Sequence, residues 1–248
     1  MLIARNLMVS ALLLLATASS AQQGGDLQAQ ILYAYQTEDT NSLVNLIQDL
    51  SAQVTAGAGD ATLRYHLAHA QYRRGLLAGP GNARDAGSAF SGCIDQLKPA
   101  VSQDVKSVEA LVLQSACYAG LADHRKIESV LLRSRSEERL NTALHLAPHN
   151  PRAVFLSSME SLRQTKPGTA QRQQAFARLE LAVQLFDASP ATSIDTPGWG
   201  HAEAYLVLGR ELQSRGDQLG ARNWIEKSLI AAPDYQAAQR QLAQLVRR

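Results

Sequence analysis

Along most of the chain, apolar residues recur three and four positions apart, the spacing of one face of a helix rather than the alternation of a strand. The pattern is sharpest near the C-terminus. Ala202-Glu203-Ala204-Tyr205 opens a helical run that continues through Leu208 and Leu212 to Gly216-Asp217; a second run holds Ala221, Ile225 and Ser228 and stops at Pro233. Gly216 is suited to end the first helix, because the left-handed conformation costs glycine little. Asp217 can cap the second helix, and Pro233 stops it because it has no N–H to donate. Small residues at Gly209 and Ala221 imply that the two helices cross closely.

The same grammar recurs upstream with drift. Ala143 to Asn150 reads as a helix ending at Pro148, and Pro151 opens a unit that runs through Val154, Ser157-Ser158, Ala175, Leu179 and Ala182. An earlier unit holds Leu67-Ala68, Ala70, Gly75, Ala86, Phe90 and Cys93 and closes near Pro99. Between these, Leu111, Ser115, Tyr118 and Ala122-Asp123 form another first helix. Leu27–Thr37 and Thr40–Ala56 predict a helical hairpin at the front. After Pro233, the stripe of Ala238, Leu242 and Leu245 predicts a closing helix.

Three breaks interrupt the pattern. Leu77 to Pro80 is rich in Gly and Pro. Between Asp123 and Ser136 the helical period of Ile127, Val130 and Leu131 reads as an extension of the second helix. Asp187 to Gly200 is rich in Pro, Ser and Gly and carries Trp199, which is read as a plug between repeats, an exposed binding anchor being the alternative.

The unit over Ala202–Tyr235 resembles the tetratricopeptide (TPR) repeat over its full 34-residue period, through Tyr205, Leu208, Gly209, Ala221, Ile225, Ser228 and Pro233. The resemblance implies an all-α fold: a TPR-like right-handed α-solenoid of about four to five helix pairs with a C-terminal capping helix. The expected layout is a signal peptide at 1–21, an N-terminal helical hairpin at 22–57 and a repeat domain at 58–248, with units near 61–99, 108–150, 151–190 and 202–235 and a capping helix at 234–247. In such solenoids the second, fifth, ninth, twelfth and thirteenth positions of the first helix line the concave groove. Here these are Thr62, Tyr65, His69, Tyr72 and Arg73; then Arg152, Phe155, Met159, Leu162 and Arg163; then Glu203, Leu206, Arg210, Gln213 and Ser214. Tyr65, His69, Tyr72, Arg73, Arg152, Phe155, Arg163 and Arg210 are the candidate binding residues, since aromatic and arginine side chains dominate binding hot spots. The arginines would make the groove locally basic and suit an acidic or carboxylate-ended segment.

Composition narrows the class. Of 248 residues, 46% are hydrophobic but only 5% aromatic, which leans toward helix. The net charge of +2 is spread without a basic stripe, which argues against nucleic acid as a partner. Arg5, the leucine-rich run Leu7–Leu15 and Ser19-Ser20-Ala21 have the grammar of a cleaved leader, with the mature chain beginning near Gln22. The run is too short to span a bilayer, and no membrane span is expected after cleavage. A periplasmic or secreted location follows, where a disulfide is chemically possible. Cys93 and Cys117 fit a structural bridge or buried small hydrophobes. In the TPR register they fall on adjoining faces, so a Cys93–Cys117 disulfide is expected.

The candidate chemistry is thin. His66 and His69 are spaced i, i+3 without the further ligands a metal needs, and Pro148 interrupts His145 and His149; all four read as surface or groove histidines. There is no nucleophile elbow and no glycine-rich loop after a strand. No cofactor, metal or catalytic residue is expected. The function so implied is a non-enzymatic scaffold or adaptor in the cell envelope, binding a peptide or partner helix in its groove. The alternative is a solute- or lipid-binding component of a transport system, for which Phe155, Met159 and Trp199 would line an apolar pocket.

Overall fold

Helix ends fall where short polar residues can cap them. The side chain of Asp39 accepts from the Ser42 N–H at 3.0 Å, Asp60 from Leu63 at 2.7 Å, Asn150 from Ala153 at 3.0 Å, Thr169 from Arg172 at 3.2 Å and Asp217 from Gly220 at 2.8 Å. Each bond satisfies one orphan helical donor and stabilises its helix by about 1 kcal/mol. The computed structural model describes residues 26–58, 60–103, 107–189 and 197–246. Within these it contains helix α1 over 26–36 and then α2 (Thr40–Gln53), α3 (Ala61–Leu77), α4 (Ala83–Gln103), α5 (Val108–His124), α6 (Ser129–Leu146), α7 (Pro151–Gln164), α8 (Ala170–Ala188), α9 (His201–Ser214), α10 (Gln218–Ala231) and α11 (Gln236–Val246). No strand occurs among the described residues. The expected leader over 1–21 lies outside them, as do 190–196 of the last insertion.

Consecutive helices pack as hairpins, α3 with α4, α5 with α6, α7 with α8 and α9 with α10, and each hairpin leans on the next. The stack is a TPR-like α-solenoid, and α11 lies against α10 as its cap. Central α5 is buried from Ala110 to Tyr118, as befits a helix apolar all round.

The small residues act as the pattern requires. A Cβ on Gly209 would stand 2.7 Å from the Ile225 side chain and 3.0 Å from the Ala221 carbonyl, so the close crossing of α9 and α10 depends on its absence. In the middle of the stack, the Phe90 ring wedges between α3 and α5, 2.7 Å from where a Cβ would sit on Gly75 and 2.5 Å from one on Gly120. Ser228, the odd residue in the repeat grammar, is fully buried, and its hydroxyl donates to the Ala202 carbonyl at 2.7 Å. Ser136 uses the same device on α6, donating to the Ser115 carbonyl at 2.9 Å. The Cys93–Cys117 disulfide joins α4 to α5 across a Cα separation of 6.3 Å.

Two expectations are corrected. Pro99 does not close the first repeat unit: α4 passes through it to Gln103. The extension of the second unit is helical from Ser129 onward, after a turn at 126–128. Its apolar residues Ile127, Val130 and Leu131 face solvent rather than joining the core.

The stack also bends round until its ends meet. Tyr35 on α1 packs into the apolar cluster formed by Ala202, Leu206, Ile225, Ala232, Tyr235 and Ala238 of the C-terminal helices. Its ring centroid lies 6.0 Å from that of Tyr235, and Glu38 pairs with Arg240. The first and last described helices therefore close the solenoid.

Candidate functional site

The inner helices α3, α5, α7 and α9, with Arg133, Ser136 and Leu140 of α6, line a cleft of about 400 Å³ that opens to solvent on one side. Trp199 forms part of its wall and is 2% exposed. It lies in residues 197–200, the described end of the last insertion. Its indole N–H donates to the Tyr65 hydroxyl at 3.0 Å, and its ring lies 6.0 Å from His69 and 6.2 Å from Tyr72. Trp199 is thus a plug between repeats rather than an exposed anchor.

Two arginines lock this plug. Arg152 reaches Glu109 with two bonds, Nε to Oε2 at 2.8 Å and Nη2 to Oε1 at 2.7 Å, and donates a third at 2.6 Å to the Pro197 carbonyl. It thereby ties α7 to α5 and to the insertion. Arg73 is 2% exposed. Its Nε donates to His69 Nε2 at 2.9 Å, and its Nη2 lies 2.7 Å from Glu203 Oε1 without the alignment of a hydrogen bond. Its guanidinium stacks over the Tyr35 ring at 4.3 Å and faces Tyr72 and Trp199 at 5.4 and 5.5 Å. A buried charge of this kind persists only when paired. Arg73 meets the condition by binding α1, α3, α9 and the insertion at one point.

Electrostatics follows from that burial. His69 is held well below the usual histidine range, first by burial and then by the Arg73 charge. It is therefore neutral, with Nε2 free to accept from Arg73. Burial also lowers His66 and raises the Tyr72 hydroxyl to about 12. Glu203 serves two partners: Oε2 accepts from the Gly200 backbone N–H at 3.0 Å while Oε1 faces Arg73. Gly200 sits at φ 103°, and a Cβ there would meet the Phe186 ring at 2.7 Å.

The groove positions counted from the repeat register converge in part. Tyr72, Arg73, Phe155, Met159, Arg163, Glu203, Leu206 and Arg210 line the cavity. Tyr65, His69 and Arg152 stand behind its wall around Trp199, and Thr62, Leu162, Gln213 and Ser214 are outside it. The expectation of a freely basic groove is corrected, because Arg73 and Arg152 are taken up by Glu203 and Glu109, and Arg163 pairs with Glu160. His66 and His69 are buried rather than surface groups, whereas His145 and His149 are exposed. Sequence reasoning missed Tyr35 and Tyr235, which line the cavity from the first and last described helical regions, and the whole contribution of α5 and α6, such as Asp123, Arg133 and Leu140. Among the described residues, no three His, Cys, Asp or Glu converge to hold a metal, and no helix is long and apolar enough to cross a membrane.

The fold has solved counterparts. A thermophilic TPR protein from Thermus thermophilus matches with a TM-score of 0.63 at 16% identity, covering 92% of this chain and 100% of that one. The HusA haemophore from Porphyromonas gingivalis matches with a TM-score of 0.63 at 21% identity, covering 79% of this chain and 93% of that one. No family model and no curated protein matches the sequence.

Proposed function

We propose that this chain is an exported, non-catalytic binding protein, a TPR-like scaffold or adaptor of the cell envelope whose inner wall receives a protein partner. The carrying observation is the convergence of cavity-lining side chains from α3, α7 and α9, with Leu76, Met159, Arg163 and Arg210 exposed around its rim. Arg210 at the rim, which no carboxylate among the described residues pairs with, supports an acidic or carboxylate-ended segment as the part engaged. The Cys93–Cys117 bridge supports an oxidising, periplasmic or secreted location. The test is capture from native envelope extract by the mature chain and by an Arg163→Ala/Arg210→Ala variant. Both side chains are exposed, so the variant should fold normally yet lose the partner. Capture at full strength by the folded variant would refute the inner wall as the site.

A second reading rests on the closure of the solenoid. Because α1 meets the C-terminal helices, the inner face forms a concave, partly open cavity, and its 400 Å³ falls in the range of small-molecule sites. All three residues named for an apolar pocket, Phe155, Met159 and Trp199, line it. Under this reading the chain is a solute- or lipid-binding component, and the structural likeness to a haemophore is compatible with it. Native mass spectrometry of the chain purified from its own envelope separates the two: a retained small molecule supports the second, a stoichiometric polypeptide the first.

A further inference from the structure

We infer that the central cavity binds a small amphiphilic monocarboxylate, its apolar body inside and its carboxylate on Arg210; this inference rests on the small-molecule reading. The inner surface is built for an apolar body. Tyr72, Leu140, Phe155, Leu156, Leu206 and Trp199 line it, and a body enclosed by such side chains leaves water at the gain expected of apolar burial.

The charges then fix the head group. Four guanidinium groups line the cavity, Arg73, Arg133, Arg163 and Arg210, against three carboxylates, Asp123, Glu160 and Glu203, which leaves one surplus positive charge. Arg73 pairs with Glu203 at 2.7 Å, Arg133 with Asp123 at 2.5 Å and Glu160 at 3.8 Å, and Arg163 with Glu160. The surplus is Arg210. Its Nε donates to the neutral Gln241 Oε1 at 3.0 Å, and no carboxylate among the described residues pairs with it. Gln241 is itself held, since its Nε2 donates to Gln213 Oε1 at 2.7 Å. That relay aims the Gln241 oxygen at Arg210 Nε and sets the guanidinium at the rim, leaving its other nitrogens for an incoming anion. Arg73 cannot serve instead: its Nη2 is buried and lies against Glu203, which repels an anion.

The test uses the intrinsic fluorescence of Trp199. The chain has two tryptophans, so Trp224→Phe leaves Trp199 as sole reporter. The mature protein is titrated with decanoate, with decanol, and with a short acidic peptide. Decanoate should shift Trp199 emission saturably, and Arg210→Gln should weaken it about tenfold, the worth of one charge-assisted bond, while leaving decanol unchanged. Met159→Trp, which fills the cavity from its half-exposed rim, should block both ligands in equilibrium dialysis without lowering the melting temperature. Equal affinity for decanoate and decanol, or no loss in Arg210→Gln, overturns the assignment of the head group. No binding of either ligand by the wild-type chain overturns the inference. Peptide binding without decanoate binding overturns it too and supports the protein-partner reading. A small molecule retained in native mass spectrometry but not displaced by decanoate would leave the small-molecule reading standing and remove this ligand class.

Discussion

The indole N–H of Trp199 meets the Tyr65 hydroxyl at 3.0 Å across 134 residues of chain. Through that bond the last insertion is held against the first repeat helix. Trp199 belongs to the largest apolar cluster, and truncating the side chain removes its packing there. Trp199→Ala should destabilise the fold by about 3–5 kcal/mol. Tyr65→Phe, which only orphans the buried indole donor, should cost about 1–3 kcal/mol. Urea titrations of the two variants check the order; equal losses would show that the ring contributes nothing beyond its hydrogen bond.

Arg73 and Arg210 both sit at groove positions of the repeat register but play opposite roles in the molecule. Arg73→Met strands the Glu203 carboxylate and should cost about 3–5 kcal/mol, whereas Arg73→Met with Glu203→Gln should recover much of that loss. Arg210→Ala, at an exposed site, should change stability by less than about 0.5 kcal/mol. Thermal melts of the three variants measure this; a destabilised Arg210→Ala would place that residue in the core.

Stability should depend on pH through the buried histidines. His69 and His66 have native pKa values depressed below 6.5, so below pH 6.5 the unfolded chain binds protons that the folded chain refuses. The stability is full above that value and falls as pH drops through the window between 6.5 and the depressed native values. The slope is about 1.4 kcal/mol per pH unit for each histidine. His69→Gln should flatten the dependence; an unchanged slope would show that His69 is protonated in the fold.

The Cys93–Cys117 bridge spans 24 residues. In the chain-entropy account, closing such a loop is worth about 3 kcal/mol. The Cys93→Ala/Cys117→Ala variant should lose that amount and should no longer respond to dithiothreitol. Reduction of the native chain that leaves its urea midpoint unmoved would contradict the prediction.

Phe90 leaves no room beside α3 or α5. Gly120→Ala or Gly75→Ala should each cost about 1–3 kcal/mol through overpacking, and Phe90→Leu should relieve part of the loss in either variant. Additive losses in the double variants, measured by denaturant titration, would show that the ring does not mediate the effect.

What the sequence displayed and what it hid have a common physical explanation. Tyr205, Gly209, Ala221, Asp217 and Pro233 act within one hairpin, so their spacing carries the signal, and each stands in the structure as the repeat grammar requires. The inner positions Tyr72, Phe155, Met159 and Arg163 were legible for the same reason. Pro99 misled because the α4 helix continues through it. The burial of His69 and Arg73 was hidden because it depends on Trp199, Tyr35 and Glu203, far apart in the chain. Contacts between the two ends, such as Tyr35 with Tyr235, leave no periodic trace at all.

That meeting of ends sets the repeat number. An open solenoid can gain or lose a unit, because each unit touches only its neighbours. Here a further unit of about 34 residues would carry Tyr235 away from Tyr35 and Arg240 away from Glu38. Deleting a unit would drive the same partners into one another. The molecule is consequently a counted object, in which length is fixed by geometry as it is in a closed barrel. Duplication of a hairpin, the ordinary route by which such proteins diversify, is open to this chain only if the ring is first broken.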